Sequence, residues 1–498
     1  MSVGFSAIPG DLRVPLFYAE VDNSMANSGL STLRRLLVGQ VNDDAEGDEI
    51  GKLSIVSRTT EARAIGGDGS MIAAMHKQLR AIDPAGEVWC LPLKVAEGVS
   101  ATATITLTGT TSEAGLLNLY VAGQRVQAMV PNLSPASAVA ATLANKINDA
   151  IELPVKAAAV EGVVTLTSKF KGVQANDIQV VMNRLGRVNG EITPAGLTVV
   201  VTPMSGGAGT PDMAAALAAL GDEEFEFICQ PWTDAQTLDA WKETMDDSAG
   251  RWSWAKQIYG HVYSVRRGTL GEHVAAGRLR NDPHMTILGI EKGVPQPVWE
   301  VAAQLVARTA VFISADPACP TQTGELGGID PAPVSERFTL TEFQSLLGYG
   351  TATANYSGGA LRIQRAVTTY QRNAYDQPDD SYLDSETLHQ SAHVLRVLRS
   401  RITSKYGRHK LANDGTNFGP GQRIVTPVVI RGELIAAYGE LERAGIVENM
   451  EMFKANLIVE RDPANPNRLN VLFPPDLVNQ LRVFALLYQF RLQYPEAA

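Results

Sequence analysis

FEFICQ at residues 225–230 is followed by TDAQTLDAWKETMDDS at 233–248, QIYGHVYS at 257–264, TLGEHVAAGR at 269–278, MTILGI at 285–290 and PVWEVAAQLVARTAVF at 297–312. Short apolar runs alternate here with longer segments of helical period. A strand that is apolar without polar interruption is buried on both faces, as in a parallel sheet covered by helices. Strand–helix alternation of this kind predicts a layered α/β core with a largely parallel sheet. Upstream, a strand at 36–39, a helix at 70–81 and a strand at 87–93 extend the same pattern. The 297–312 segment is interrupted by Glu300, Gln304 and Arg308, so it reads as a core helix and not a membrane span.

Between these two stretches the texture changes. ATATITLTGT from Ala101 and LLNLYVAGQRV from Leu116 are rich in Thr, Val and Leu, and Ala122-Gly123-Gln124 between apolar runs reads as a hairpin turn. A helix over 138–151 and short strands at 163–167, 178–182 and 197–202 follow. Ser205-Gly206-Gly207-Ala208-Gly209 closes the segment with linker composition. Residues 98–205 therefore read as a self-contained β-rich α+β domain inserted into the α/β core.

Further along, a helix over 384–405 carries Leu388, Ala392, Leu395, Leu398 and Ile402 at helical spacing, and a second helix covers 431–444 before Gly445. Residues 481–492 read LRVFALLYQFRL, apolar on both faces: Phe484, Leu486, Tyr488 and Phe490 on one, Leu481, Val483, Ala485 and Leu487 on the other. Such a strand needs cover on both sides, yet termini are usually frayed. Pro474 and Pro475 put it at the end of a stiff leash. At the other end Leu12, Val14, Leu16 and Tyr18 alternate with Arg13, Pro15, Phe17 and Ala19, and Pro15 restricts that segment to a sheet edge. Both segments are either strands of the chain's own sheet or strands lent to a neighbour.

Composition narrows the function. The 498 residues suffice for about three domains, and 45% hydrophobic with 19% charged residues is a soluble globular balance. A formal charge of -10 argues against nucleic acid or an anionic membrane as the main partner. The three cysteines, Cys90, Cys229 and Cys319, are far apart, which fits neither a disulfide framework nor a zinc site and suits a reducing cytosol. No apolar leader opens the chain.

The chemical motifs are weak. His389 and His393 stand one helical turn apart, but no Glu lies between them to act as a base. The glycine-rich 415–422 segment lacks the Gly-Lys-Ser/Thr of a phosphate loop, and no G-x-S-x-G is present. One cluster has content: Arg396, Arg399, Arg401, Lys405, Arg408, His409 and Lys410 gather positive charge where the long helix ends. It is either a solvated helix end, favoured by the helix dipole, or a docking patch. Glu433 and Glu440 on the next helix would supply the complementary acidic surface.

Three long stretches carry a resemblance: IPGDLRVPLFYAEVDNS at 8–24, RSRITSKYGRHKL at 399–411 and FPPDLVNQLRVFA at 473–485. They resemble the tail sheath proteins of Mu-like contractile-tailed phages, and the likeness runs from end to end. It implies a structural, non-enzymatic protein of α/β and α+β multidomain class that uses no cofactor, nucleotide or metal. Its partners would be itself, in six-fold rings stacked helically, the tail tube, the baseplate and the tail terminator, with no nucleic acid and no membrane insertion. Contraction from a metastable extended state would drive the tube through the host envelope. The place would be the virion tail, assembled in host cytoplasm; a headless contractile particle is the alternative, and an α/β enzyme with a lid-like insertion a more distant one.

The resemblance also assigns parts. Residues 1–28 form an N-terminal arm, 29–97 the first part of a core next to the tube, 98–205 an outer domain, 206–470 the second part of the core with a C-terminal region from about 380, and 471–498 a linker and arm. Leu12, Val14, Leu16, Phe17 and Tyr18 would pair with one neighbour; Leu481, Val483, Phe484, Leu486, Tyr488 and Phe490 with another. Pro474, Pro475, Asp476 and Asn479 would be the hinge, and Arg396, Arg399, Arg401, Lys405, Glu433 and Glu440 the docking charges.

Overall fold

The computed structural model describes residues 33–419 and 421–493. The expected N-terminal arm, with Leu12, Val14, Leu16, Phe17 and Tyr18, lies outside the described residues. The α/β core is built on one nine-stranded sheet, ordered Glu325–Leu326, Ala360–Arg365, Ala352–Ser357, Met285–Ile290, His261–Arg267, Phe227–Cys229, Arg35–Gln40, Val88–Leu93, Ser54–Ile55. The six interior strands from Ala352–Ser357 to Val88–Leu93 run parallel, and antiparallel strands close both edges. Met285–Ile290 and Arg35–Gln40 are buried at every position, as expected for strands with apolar centres covered on both faces.

The helix Val298–Ala315 packs on the central strands and on the helix Met71–Ile82. Its length and hydropathy would allow a membrane crossing, but 72% of it is buried inside the fold, so it is the expected core helix. Gly39 lets the first strand approach the helix Met71–Ile82 closely. A Cβ there would lie 2.8 Å from the Met75 sulfur and 3.3 Å from the Ile72 Cα.

The segment after Glu97 forms a four-stranded antiparallel sheet (Leu197–Ser205, Ser100–Gly109, Val163–Lys171, Val155–Val160), a three-stranded one (Gln124–Val130, Gly115–Val121, Val180–Met182) and the helix Ala136–Asp149. The hairpin turn stands where the sequence puts it. Ala122 (φ 52°) and Gly123 (φ 78°) both take the left-handed conformation of a tight two-residue turn.

The inserted segment, expected to be self-contained, also shares burial with the core. One buried apolar cluster runs unbroken from the sheet into this segment. Phe170 packs edge-on against Trp299 at 5.7 Å. Asp177 receives Arg267 at 2.6 Å and 3.2 Å and the Val298 backbone N–H at 2.8 Å, at the start of the core helix. The inserted segment thus meets the first turn of the core helix, at Val298 and Trp299.

Residues 206–470, expected as one body, divide between two cores. A second apolar cluster holds Val394, Ile430, Leu434, Tyr438, Leu441, Val447, Phe453 and Leu457, with Val397, Leu398 and Ile402 packed against it. Tyr438 stacks on Phe453 at 3.7 Å, and Phe473 meets Phe453 edge-on. The helix Ser385–Tyr406 joins the two: Glu386, His389 and Gln390 are buried near its start, and its second half serves the smaller core. Pro427–Arg443 begins earlier than the helix expected at 431, because Pro427 occupies the first helical position, where its missing N–H costs nothing. Gly445 (φ 74°) follows its end as expected.

Candidate assembly interface

The chain's end is rooted on its own fold and then leaves it. Asp476–Leu477 pairs antiparallel with Val447–Glu448, and the Val478 N–H donates to the Ile446 carbonyl at 3.1 Å. The buried Gln390 amide donates to the Ile446 and Val478 carbonyls at 2.8 Å and 3.1 Å. Gln322 donates to the Leu481 carbonyl at 2.8 Å. Arg482 lies with its side chain 12% exposed, Nη2 3.2 Å from both Asp384 and Glu386. Of the hinge expected at Pro474, Pro475, Asp476 and Asn479, Asp476 is held in this subunit by a ladder. A ladder and a buried amide fix residues 476–478, and the chain comes free only at Val483.

Beyond Arg482 the expected arm residues stand together and uncovered. Leu481 and Val483 are 70% and 78% exposed, Phe484 78%, Leu486 72%, Tyr488 77% and Phe490 66%. Residues 483–490 pair with no strand among the described residues. A chain apolar on both faces has no such conformation in water as a stable resting place. The hairpin Ile458–Arg461 with Leu469–Leu472 offers the complementary geometry: a two-stranded sheet with both edges open and with Ile458, Val471 and Leu472 exposed.

Three cations of the positive cluster, Arg396, Arg401 and Lys405, are paired inside the chain, and among them Arg401 and Lys405 meet the expected acidic partners Glu433 and Glu440 within one subunit. Arg401 pairs with Glu433 at 2.8 Å and Glu440 at 2.6 Å, and Lys405 with Glu433. Lys405 and the Tyr406 hydroxyl hold the Glu433 carboxyl below the usual carboxylate range, although partial burial opposes them. The helices bearing these opposite charges pack against each other, so the complementary surfaces meet within one subunit. Arg396 points the other way, onto Glu224 at 2.7 Å and onto Glu226 of the sheet. Arg399 stays exposed with no carboxylate against it among the described residues and uses one donor, on the Gln257 carbonyl at 3.4 Å, whereas Lys405, also exposed, is paired.

Glu226 is the residue that sequence reasoning missed. It sits just before the strand Phe227–Cys229, buried, and joins the two cores: His389 Nδ1 lies 2.5 Å away, and His389 Nε2 meets the Tyr263 hydroxyl at 2.7 Å. Both ring nitrogens of His389 are therefore taken, and with His393 it makes no metal pair. Burial pushes the Glu226 carboxyl up, but Arg396 and His389 outweigh it and hold it at about 2. A group so depressed adds stability above its unfolded value and loses it as the pH falls through the folded one. Arg396→Met should leave this carboxylate with His389 alone, a loss of about 3–5 kcal/mol at neutral pH. Urea titrations from pH 7 to pH 2 test it: the gap to wild type should close on the acid side, as the stranded carboxyl takes up a proton. A constant gap would show that Arg396 acts through packing.

Comparison with known proteins bears on these surfaces as a set. A family model described as the phage tail sheath protein central domain matches residues 206–369, and one described as the phage tail sheath C-terminal domain matches residues 377–491. The Mu-like prophage FluMu tail sheath protein of Haemophilus influenzae is 39% identical over 495 residues, covering 99% of this chain and 100% of that protein. Among solved structures, a sheath tail protein from Desulfitobacterium hafniense is 12% identical and covers 93% of this chain and 100% of its own, with a TM-score of 0.47. The anti-feeding prophage helical sheath in its contracted state is 12% identical, covers 97% of this chain and 100% of its own, with a TM-score of 0.46.

Proposed function

Because the chain belongs to the phage tail sheath family, we propose that it is the structural subunit of a contractile sheath, stacking in rings around a tail tube and acting by rearrangement and not by catalysis. The observation that carries the reading is the arm: residues 483–490, largely apolar on both faces, follow a firmly rooted stretch, and Val483, Phe484, Leu486, Leu487, Tyr488 and Phe490 are exposed in the single subunit. Cover then comes from another copy. The arm lies along an open edge of a neighbour's Ile458–Leu472 hairpin, main chain to main chain, with alternate side chains on either face. The N-terminal residues Leu12, Val14, Leu16, Phe17 and Tyr18 do the same for a second neighbour. The α/β core faces the tube, and the segment 98–205 faces outward.

In this reading contraction slides and rotates rigid subunits tied by their arms. A few kcal/mol stored per subunit suffices when many interfaces switch in series. The tube, baseplate and tail terminator are the heterologous partners, and the virion tail is the place of action. Negative-stain images of the purified full-length chain, concentrated stepwise, test the proposal. Hollow cylinders or stacked rings are expected, and a monodisperse monomer at all concentrations would overturn it.

A further inference from the structure

Arg482 interrupts an apolar strand, and the fold gives it a prepared seat. The Glu386 carboxylate is entirely buried. Its Oε1 accepts the Thr321 backbone N–H at 2.8 Å and the Thr321 hydroxyl at 2.6 Å, while Oε2 faces Arg482 at 3.2 Å. Asp384 beside it is held by Arg365 at 2.8 Å and 2.9 Å and also faces Arg482 at 3.2 Å. Gln322 takes the Leu481 carbonyl and sets its Oε1 3.4 Å from Arg482 Nη1. Two carboxylates at the start of the long helix and the 321–322 loop thus grip one guanidinium, whose chain neighbours on both sides are exposed.

We propose that Arg482 is the positioning residue of the C-terminal arm: seated on Asp384 and Glu386, it fixes the point and direction in which the exported strand leaves its subunit. The inference rests on the strand-exporting reading above and deepens it. Without the seat the same strand would swing from Val478, with residues 479–482 added to the leash and no preferred direction. A longer, freer leash lowers the effective concentration of the strand at its acceptor edge. The grip also confines bending during contraction to residues after 482.

Trypsin reads the seat directly, because Arg482 must leave it for the bond to Val483 to be cut. In the full-length chain before polymerisation, Glu386→Gln replaces the acceptor facing Arg482 with an amide. That variant should be cut after Arg482 about tenfold faster than wild type, because one of the two carboxylates that pair with the guanidinium is gone. Its other tryptic sites should be cut at unchanged rates, and its polymerisation should slow. Gln322→Leu, which leaves both carboxylates in place, should be cut faster in the same way and serves if Glu386→Gln does not fold. Equal cutting after Arg482 in wild type and the folded variants would overturn the proposal. Failure of the strand-exporting reading shows separately, as continued polymerisation of a chain that ends at Arg482.

Discussion

A chain ending at Arg482 should fold, melt as the full-length protein does, and form no cylinders at any concentration. The cut removes only residues that touch little of their own subunit, so the two apolar clusters and the Asp384–Arg482–Glu386 grip remain. What is lost belongs to the assembly. Each ladder bond to a neighbour is worth about 0.5–1.5 kcal/mol, and burying Phe484, Leu486, Tyr488 and Phe490 adds roughly 1.5–3 kcal/mol apiece. Together these exceed what a ring contact can spare. Sedimentation beside a thermal melt gives both answers: a monomer with the wild-type transition is expected. Intact cylinders would remove the arm from the account of assembly. A collapsed melting transition would return residues 483–493 to the chain's own fold. A cut upstream of Arg482 would confound the two, because the buried Glu386 would lose its cation.

Joining Glu97 to Gly209 should cost the core most of its stability, although the two ends already lie side by side. The Val99 N–H donates to the Ala208 carbonyl at 2.9 Å, so closing the gap strains nothing. The cost lies beneath the excised segment. Trp299 loses Phe170, a change of the kind that costs about 3–5 kcal/mol. Arg267, with 9% of its side chain exposed, loses Asp177, a loss of similar size, about 3–5 kcal/mol. Domains of this kind are stable by only about 5–15 kcal/mol. The shortened chain should therefore melt far below wild type or fail to fold, and Arg267→Met with Trp299→Gln in the shortened chain should recover part of the loss. A wild-type urea midpoint for the shortened chain would mean that the outer segment has a core of its own after all.

These two outcomes turn on different kinds of information. The alternation at 225–312 gave the sheet and its helices, because periodicity is local and a strand without polar positions has few other places to be. The Ala122-Gly123 turn was legible for the same reason: the two positions need a left-handed backbone, and the flanking runs show the period of a strand. The arm at 481–492 was legible as a paradox, two apolar faces at a terminus. Arg482, the first of its three polar residues with Gln489 and Arg491, was the available signal for the seat, while the region of Asp384 read only as a helix start.

The sequence by itself therefore determined the α/β core, the presence of an α+β segment within it and an end that needs covering. The tertiary structure decided where burial is shared. It fused the outer segment to the core through Phe170 on Trp299, and separated the C-terminal region as a second cluster. It also turned the apparent docking charges inward. Arg396 and Glu226 stand 170 residues apart in the chain, and no period or spacing relates them. A buried carboxylate finds its cation only after the sheet and the long helix have set their register, and the strength of that pair comes from the dry environment that folding creates.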